Sequence, residues 1–436
     1  MAPIATPSAG ATPRSVGFWT AITIVMGNMI GSGIFLLPAS LAPYGAISLA
    51  GWVFSAAGSI LLAIVFARLA RRQPAAGGPY AYTRLAFGDL AGFLVAWGYW
   101  ISVWCTLAAL AVAFVGYLDP FVPAIVRRPA SAALVAIAAV WLLTIVNLRG
   151  IAAAGRVQIV TTVLKLVPLL IVGFAALFFF DPSHFAVADT SLRSIAHGTT
   201  ATATLTLWAF LGLECATIPA EDIEDPHVTI PRATIVGTAV TALIYIASTI
   251  GVMGVIAPDA LGHTSAPYAD AARVVAGNGA AAVVAAGAAI SCFGALNGWI
   301  LVAGQLPGAV ARDGLFPRVF ARTSPQGTPA AALVIGSALA TALIAMNYTR
   351  ALVDLFTFII LLATLSTLVP YAFCSVAGLL DRDTSRLSPV HVLAFAYSLW
   401  AIAGAGADVV YWGFLLLIAG LPVYAIVIRK KEEGKR

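Results

Sequence analysis

The chain has 436 residues, 61% of them hydrophobic and only 10% charged, with a net charge of +6 and a mean hydropathy of +0.97. Soluble domains carry roughly 25% charged residues, so most of this surface has to face lipid and no stretch is left for a soluble domain. The positive balance does not mark a nucleic-acid binder, because the basic residues sort by side of a membrane.

Residues 1–15 hold Ala, Pro and Ser with one charge, Arg14. They read as a disordered cytoplasmic tail, without the apolar core and cleavage site of a signal peptide. A membrane-crossing helix needs about 20 apolar residues. About twelve such runs follow, at 17–42, 47–70, 89–117, 131–149, 156–180, 199–220, 232–256, 276–308, 328–347, 350–380, 388–407 and 409–428, before a basic tail at 429–436. The sequence therefore predicts an all-α integral membrane protein with one transmembrane domain over 16–428. With the N-terminus inside, the outer connections hold only Arg127, Arg128, Arg193, Arg273 and Arg350. Lys165 lies within a span, and the other 18 of the 24 basic residues fall on the inner side. That bias puts both termini in the cytoplasm and favours an even number of crossings.

Cys105, Cys215, Cys292 and Cys374 sit far apart inside apolar runs and read as small buried side chains, with neither metal-ligand nor disulfide spacing. No nucleophile–base motif, metal cluster or phosphate loop stands in the sequence, so neither an enzyme nor a cofactor or metal is expected.

Two features break the membrane pattern. Lys165 in the fifth span and Glu214 in the sixth each cost about 2.5–3.5 kcal/mol at a helix centre. They either pair with one another or serve a functional site. The runs Gly27-Asn28-Met29-Ile30-Gly31-Ser32-Gly33 and Trp208-Ala209-Phe210-Leu211-Gly212-Leu213-Glu214 interrupt spans one and six. Glycine at such places serves either close packing or a broken helix. Breaks five spans apart are what two inverted repeats would give, with a substrate site at the midplane. Amides freed at one half-helix stabilise a carboxylate, and carbonyls freed at the other accept from an ammonium. Together they suit an α-amino acid.

The run from Gly27 to Pro38 resembles the first helix of the amino acid–polyamine–organocation transporters. So do Gly77-Gly78-Pro79-Tyr80-Ala81-Tyr82, the Glu-rich segment from Glu214 to Pro231, and Ala311-Arg312-Asp313-Gly314-Leu315-Phe316-Pro317 with Gly327-Thr328-Pro329. Within that family the chain is most similar to the arginine/agmatine antiporters of the basic amino acid/polyamine branch. The resemblance implies a LeuT-type fold in a bacterial inner membrane. Two inverted five-helix repeats (about 16–180 and 199–380) would be joined by two peripheral helices over 388–428, with helices 1 and 6 broken. It implies that the amides of Ser32 and Gly33 take the substrate carboxylate. The carbonyls of Met29, Trp208 and Leu211 take its ammonium, Trp208 covers it from outside, and Trp299 stacks on its cationic end. Tyr99, Glu214, Trp299 and Tyr371 form the inner barrier. A homodimer in the lipid bilayer is also implied.

Three departures bear on the substrate. Leu107 and Ala363 stand where arginine/agmatine antiporters carry an asparagine and a serine, which removes polar contacts to a guanidinium. Asn297 restores one if its side chain faces the site. Lys165 resembles the lysine that replaces a sodium ion in Na⁺-independent relatives. The sequence thus leaves two transport readings, a sodium-independent exchanger of cationic amino acids or polyamines and a proton-coupled or facilitative carrier of neutral ones. An amino-acid-binding membrane sensor is the alternative of another class.

Overall fold

The computed structural model describes residues 16–187, 189–264, 266–347, 352–380, 388–404 and 407–433. The expected tail at 1–15 lies outside these residues, as do Arg350, Arg382 and Arg386. The regular structure among them is helical, apart from one parallel bridge between Val16 and Ile223.

The first apolar run is split into α1 (Phe18–Met29) and α2 (Gly33–Leu41). It is followed by α3 (Ile47–Arg72), α4 (Pro79–Phe87), α5 (Asp89–Gly116), α6 (Pro123–Val126), α7 (Pro129–Leu148) and α8 (Ile151–Ala176). Then come α9 (Leu192–Leu207), α10 (Pro226–Val255), α11 (Pro258–Gly262) and α12 (Pro267–Arg312). The chain ends with α13 (Ala330–Asn347), α14 (Leu352–Leu379), α15 (Pro389–Gly404), α16 (Ala407–Ile418) and α17 (Leu421–Glu433). Proline opens α4, α6, α7, α10, α11, α12 and α15, where its missing N–H has no helical acceptor to lose. Seven helical stretches among the described residues are long and apolar enough to cross a bilayer, with shorter apolar helices beside them.

Three boundaries differ from the sequence reading. Helix α9 ends at Leu207, well inside the expected run 199–220. Helix α12 begins earlier than residue 276 but is broken at Ala276 and Gly277, whose φ of 79° suits glycine, so the expected start is the position of the kink. The residues Arg429, Lys430 and Lys431, read as a tail, continue α17.

The helices are inside out relative to those of a soluble protein. On α8, Val160, Val163, Leu164, Val167 and Ile171 are exposed, whereas Gln158, Thr161, Thr162 and Lys165 are buried. Lipid takes the apolar face and the bundle interior takes the polar one. Small residues let the helices approach closely. A Cβ on Gly251 of α10 would lie 2.7 Å from the carbonyl oxygen of Gly173 on α8. Helix α12 packs against α8 and α5, and α3 packs against α10 and α9, so the two interrupted segments end up inside a helical shell.

Candidate functional site at two interrupted helices

The chain leaves helical geometry between Met29 and Gly33. Ile30 has φ −78° and ψ 84°, and Ser32 is the N-cap from which α2 starts at Gly33. This exposes the carbonyl end of α1, which carries partial negative charge, and the amide end of α2, which carries partial positive charge. Lys165 from α8 meets the first. Its Nζ donates to Gly27 O at 2.8 Å and Ile30 O at 2.6 Å, and the residue is fully buried. Ser291 Oγ adds a bond to Ile30 O at 2.9 Å, and Trp299 Nε1 donates to Asn28 O at 3.4 Å. The carbonyls released by the break are therefore collected by a cation, a hydroxyl and an indole.

The second interruption follows α9. A single 3-10 turn, Trp208–Phe210, gives way to extended backbone at Leu211 and to Gly212 at φ 107°, before another 3-10 turn at Cys215–Thr217. The unwound chain is held by Tyr245, whose hydroxyl donates to Ala209 O at 3.0 Å, and by Gly77 N, which donates to Ile218 O at 2.9 Å. Gly78 must lack a side chain there, because a Cβ would lie 2.1 Å from Thr217 Oγ1 and its φ is 49°.

A cavity lies between the two interruptions. Met29, Ser32 and Gly33 line it from the first, and Trp208 and Leu211 from the second. Trp299 also lines it, together with Asn28, Thr106, Leu110 and Thr367. It has room for a water and too little for an amino acid. Entry of anything larger requires its walls to move. Trp208 is the half-buried wall, with its indole edge against Gly33.

Adjoining the cavity through Trp299 is a connected polar layer. Glu214 is fully buried, and its carboxylate accepts hydrogen bonds from the hydroxyls of Tyr99 and Tyr371. The Tyr99 ring packs edge-on against Trp299 at 6.5 Å, and Tyr371 against Phe66 at 5.4 Å. Lys165 and Glu214 do not pair with one another; one sits on backbone carbonyls and the other on phenols.

The amino acid permease family model matches residues 16–428. The chain belongs to the amino acid permease family. It is 33% identical to a protein of Escherichia coli (strain K12) named "Cadaverine/lysine antiporter", over 90% of this chain and 88% of that one. It is 32% identical to a Bacillus subtilis (strain 168) protein provisionally named an arginine/ornithine antiporter, over 96% and 98% of the two chains. It is 28% identical to "Putrescine transporter PotE" of Haemophilus influenzae (strain ATCC 51907 / DSM 11121 / KW20 / Rd), over 98% and 100%. As an amino acid permease the protein is a multi-pass membrane transporter and not an enzyme.

Within this permease, the expected residues divide into two groups. Met29, Ser32, Gly33, Trp208, Leu211 and Trp299 surround the cavity, and Tyr99, Glu214, Trp299 and Tyr371 form the layer adjoining it. Leu107 and Ala363 are buried but do not line it; Thr106 and Thr367 do, one turn or less away. Asn297 needs correction as a site contact. Its Nδ2 donates to Ala154 O and Gln158 Oε1, both at 3.0 Å, and its Oδ1 accepts from Asn147 at 3.1 Å, so its amide ties α12 to α7 and α8. Sequence reasoning missed Asn28, Thr106 and Thr367. The threonines were hidden because each hydroxyl also bonds the carbonyl four residues back, to Ser102 and Ala363, as threonines in apolar helices commonly do. All four cysteines are buried with free thiols.

The contact between Trp208 and Gly33 yields a test. A Cβ at position 33 would lie 2.9 Å from Trp208 Cδ1 and 3.1 Å from Nε1, closer than carbon atoms pack. Gly33→Ala is expected to hold the indole away from α2 and slow exchange at least about fivefold, which is about 1 kcal/mol in the barrier, with the fold intact. Trp208 fluorescence in an otherwise Trp-reduced background would report the displaced ring. An unchanged rate and spectrum would show that the ring does not close on Gly33.

Proposed function

We propose that this permease is a sodium-independent exchanger of basic amino acids and polyamines that works by alternating access. The observation that carries the reading is a cavity bounded by the ends of two interrupted helices and by Trp208 and Trp299. The amide end of α2 suits a carboxylate, and two indoles suit a cation, a contact worth about 0.5–2 kcal/mol. The relatives' names point to the same substrates, namely lysine with cadaverine, arginine with ornithine, and putrescine. A neutral substrate has less support, because Leu107 and Ala363, two of the three changes that favoured it beside Lys165, lie off the cavity wall.

In this reading Trp208 closes the outer side, and the Tyr99–Glu214–Trp299–Tyr371 layer opens inward. Lys165 supplies the cation that a sodium ion would otherwise bring to the first break. The chain is proposed to cross the membrane about twelve times in a LeuT-type arrangement. Two inverted repeats, about 16–180 and 199–380, would precede two peripheral helices over 388–428, with both termini in the cytoplasm of a bacterial inner membrane. A homodimer is proposed with it.

The test is counterflow in sodium-free proteoliposomes. Vesicles loaded with lysine, arginine, ornithine, cadaverine or putrescine are expected to take up labelled lysine at least about tenfold faster than empty ones. Vesicles loaded with alanine or leucine should match the empty control. Uptake driven by the neutral amino acids instead would overturn the cationic assignment.

A further inference from the structure

Helices α1 and α8 meet in a fixed register. Thr20 lies against Gly155, where a Cβ would come within 2.8 Å of the threonine Cγ2. Gln158 Nε2 donates to Thr23 O at 3.3 Å. Thr162 stands against Gly27, whose Cβ would lie 2.9 Å from Thr162 Oγ1. Lys165 Nζ donates to Ile30 O. The two members of each pair are 135 residues apart, so the helices run parallel. On both helices the contacts recur at steps of three and four residues, along one face.

Gln158 also reaches beyond this pair. It is buried, and its amide sits in a slot between two glycines. A Cβ on Gly27 of α1 would lie 1.8 Å from its Nε2, and one on Gly298 of α12 would lie 3.1 Å away. Its Oε1 accepts from Asn297 at 3.0 Å, and Asn297 Oδ1 accepts from Asn147 at 3.1 Å. Three amides in series therefore tie α1 to α8, α12 and α7. The two grips of α8 on α1 differ in kind. Lys165 holds Gly27 O and Ile30 O, at 2.8 and 2.6 Å, where the chain leaves helical geometry. Gln158 holds Thr23 O, which lies inside α1 and accepts a bond from the helix itself. Letting go of Thr23 O leaves no bare carbonyl, whereas letting go of Ile30 O takes away a cation.

We infer that Gln158 is the positioning residue that releases α1 during transport, with Lys165 as the pivot that stays attached. This rests on the alternating-access reading. When the amide lets go of Thr23 O, α1 tilts away from α8 and opens the inner side. Its start moves with the chain after the second interruption, because Val16 N donates to Asp222 O at 3.1 Å and Glu224 N donates to Val16 O at 3.0 Å. The Asn297 and Asn147 amides stay with the stationary helices.

The test uses a buried reporter between the two grips. Thr162 is 2% exposed and covered by α1 at Gly27. Thr162→Cys, in a full-length parent whose four native cysteines are changed to alanine, is alkylated by N-ethylmaleimide only while α1 is away from α8. In proteoliposomes, adding Gln158→Met keeps the side chain's length and removes its amide. It is expected to speed alkylation at least about threefold and to raise the KM for external lysine by a similar factor, the weight of one hydrogen bond in a population shift. Asn297→Leu cuts the amide series on its other side and should lower the unfolding temperature with both readouts unchanged. Unchanged alkylation and KM in Gln158→Met would overturn the release role. So would equal changes in Asn297→Leu, which would make the whole series a structural tie. Absence of counterflow with every cationic amino acid in the wild type would instead remove the transport reading on which the inference rests. If Gln158→Met fails to fold, Gln158→Asn keeps an amide in the slot but is one methylene too short for Thr23 O, and it decides by the same two readouts.

Discussion

Glu214→Ala is expected to abolish exchange, with counterflow at the level of protein-free vesicles. The carboxylate joins three elements in one hydrogen-bonded layer: Tyr99 from α5, Tyr371 from α14 and the unwound chain after Gly212. Removing it leaves two phenol hydroxyls buried without their acceptor, at about 1–3 kcal/mol each. A change of about 1.4 kcal/mol in the transport barrier is already tenfold. In the proposed alternating-access cycle the layer closes while the cavity is open outward and opens when substrate leaves inward, so both loosening and misplacing it would end alternation. Glu214→Gln separates the two properties of the side chain. Its amide keeps one oxygen for a phenol and offers an N–H to the other, so the layer persists while the charge is gone. Exchange in Glu214→Gln is expected to fall at least tenfold while the unfolding temperature in detergent stays near that of wild type. Normal exchange in Glu214→Gln would reduce Glu214 to a structural tie, and normal exchange in Glu214→Ala would remove it from the barrier.

How much of this was legible in the sequence follows from what burial penalises. Lys165 and Glu214 stood out because a charge in an apolar run has to be explained. Their separate partners did not, since a carbonyl freed by unwinding leaves no mark on residue type and tyrosines in a membrane chain are common. The two interruptions were visible through Gly27, Gly31, Gly33 and Gly212, although glycine alone would equally fit close packing. Gly27 in fact serves close packing inside α1, because a Cβ there would lie 1.8 Å from Gln158 Nε2. The direction in which Asn297 faces was out of reach. In a helix buried on nearly every side, as α12 is between residues 294 and 311, the apolar pattern is almost uniform and no periodicity says which neighbour a polar side chain meets. Asn28 was overlooked for a related reason. Its glycine-rich surroundings direct attention to backbone groups, and only three-dimensional packing places it on the cavity wall.

Lys165→Met is expected to be as damaging as Glu214→Ala, but for an electrostatic reason. Methionine keeps the length and apolar stem of lysine and removes only the ammonium. Gly27 O then loses its donor, Ile30 O retains only Ser291, and the negative end of α1 faces α8 without a cation. No carboxylate pairs with Lys165 among the described residues, so the charge is held by the break and the break by the charge. In the proposed reading this covalently held cation stands where a sodium ion would otherwise bind. Wild-type exchange should therefore run at the same rate in sodium-free buffer and in buffer containing sodium chloride, and Lys165→Met should lose at least about tenfold in sodium-free buffer, the effect of about 1.4 kcal/mol in the barrier. Measuring both proteins in both buffers gives each claim its own failure. Stimulation of the wild type by sodium would contradict the replacement of a sodium ion by Lys165. Wild-type rates in Lys165→Met without sodium would show that the first interruption needs no cation at all, and that Lys165 is carried in the membrane for another purpose.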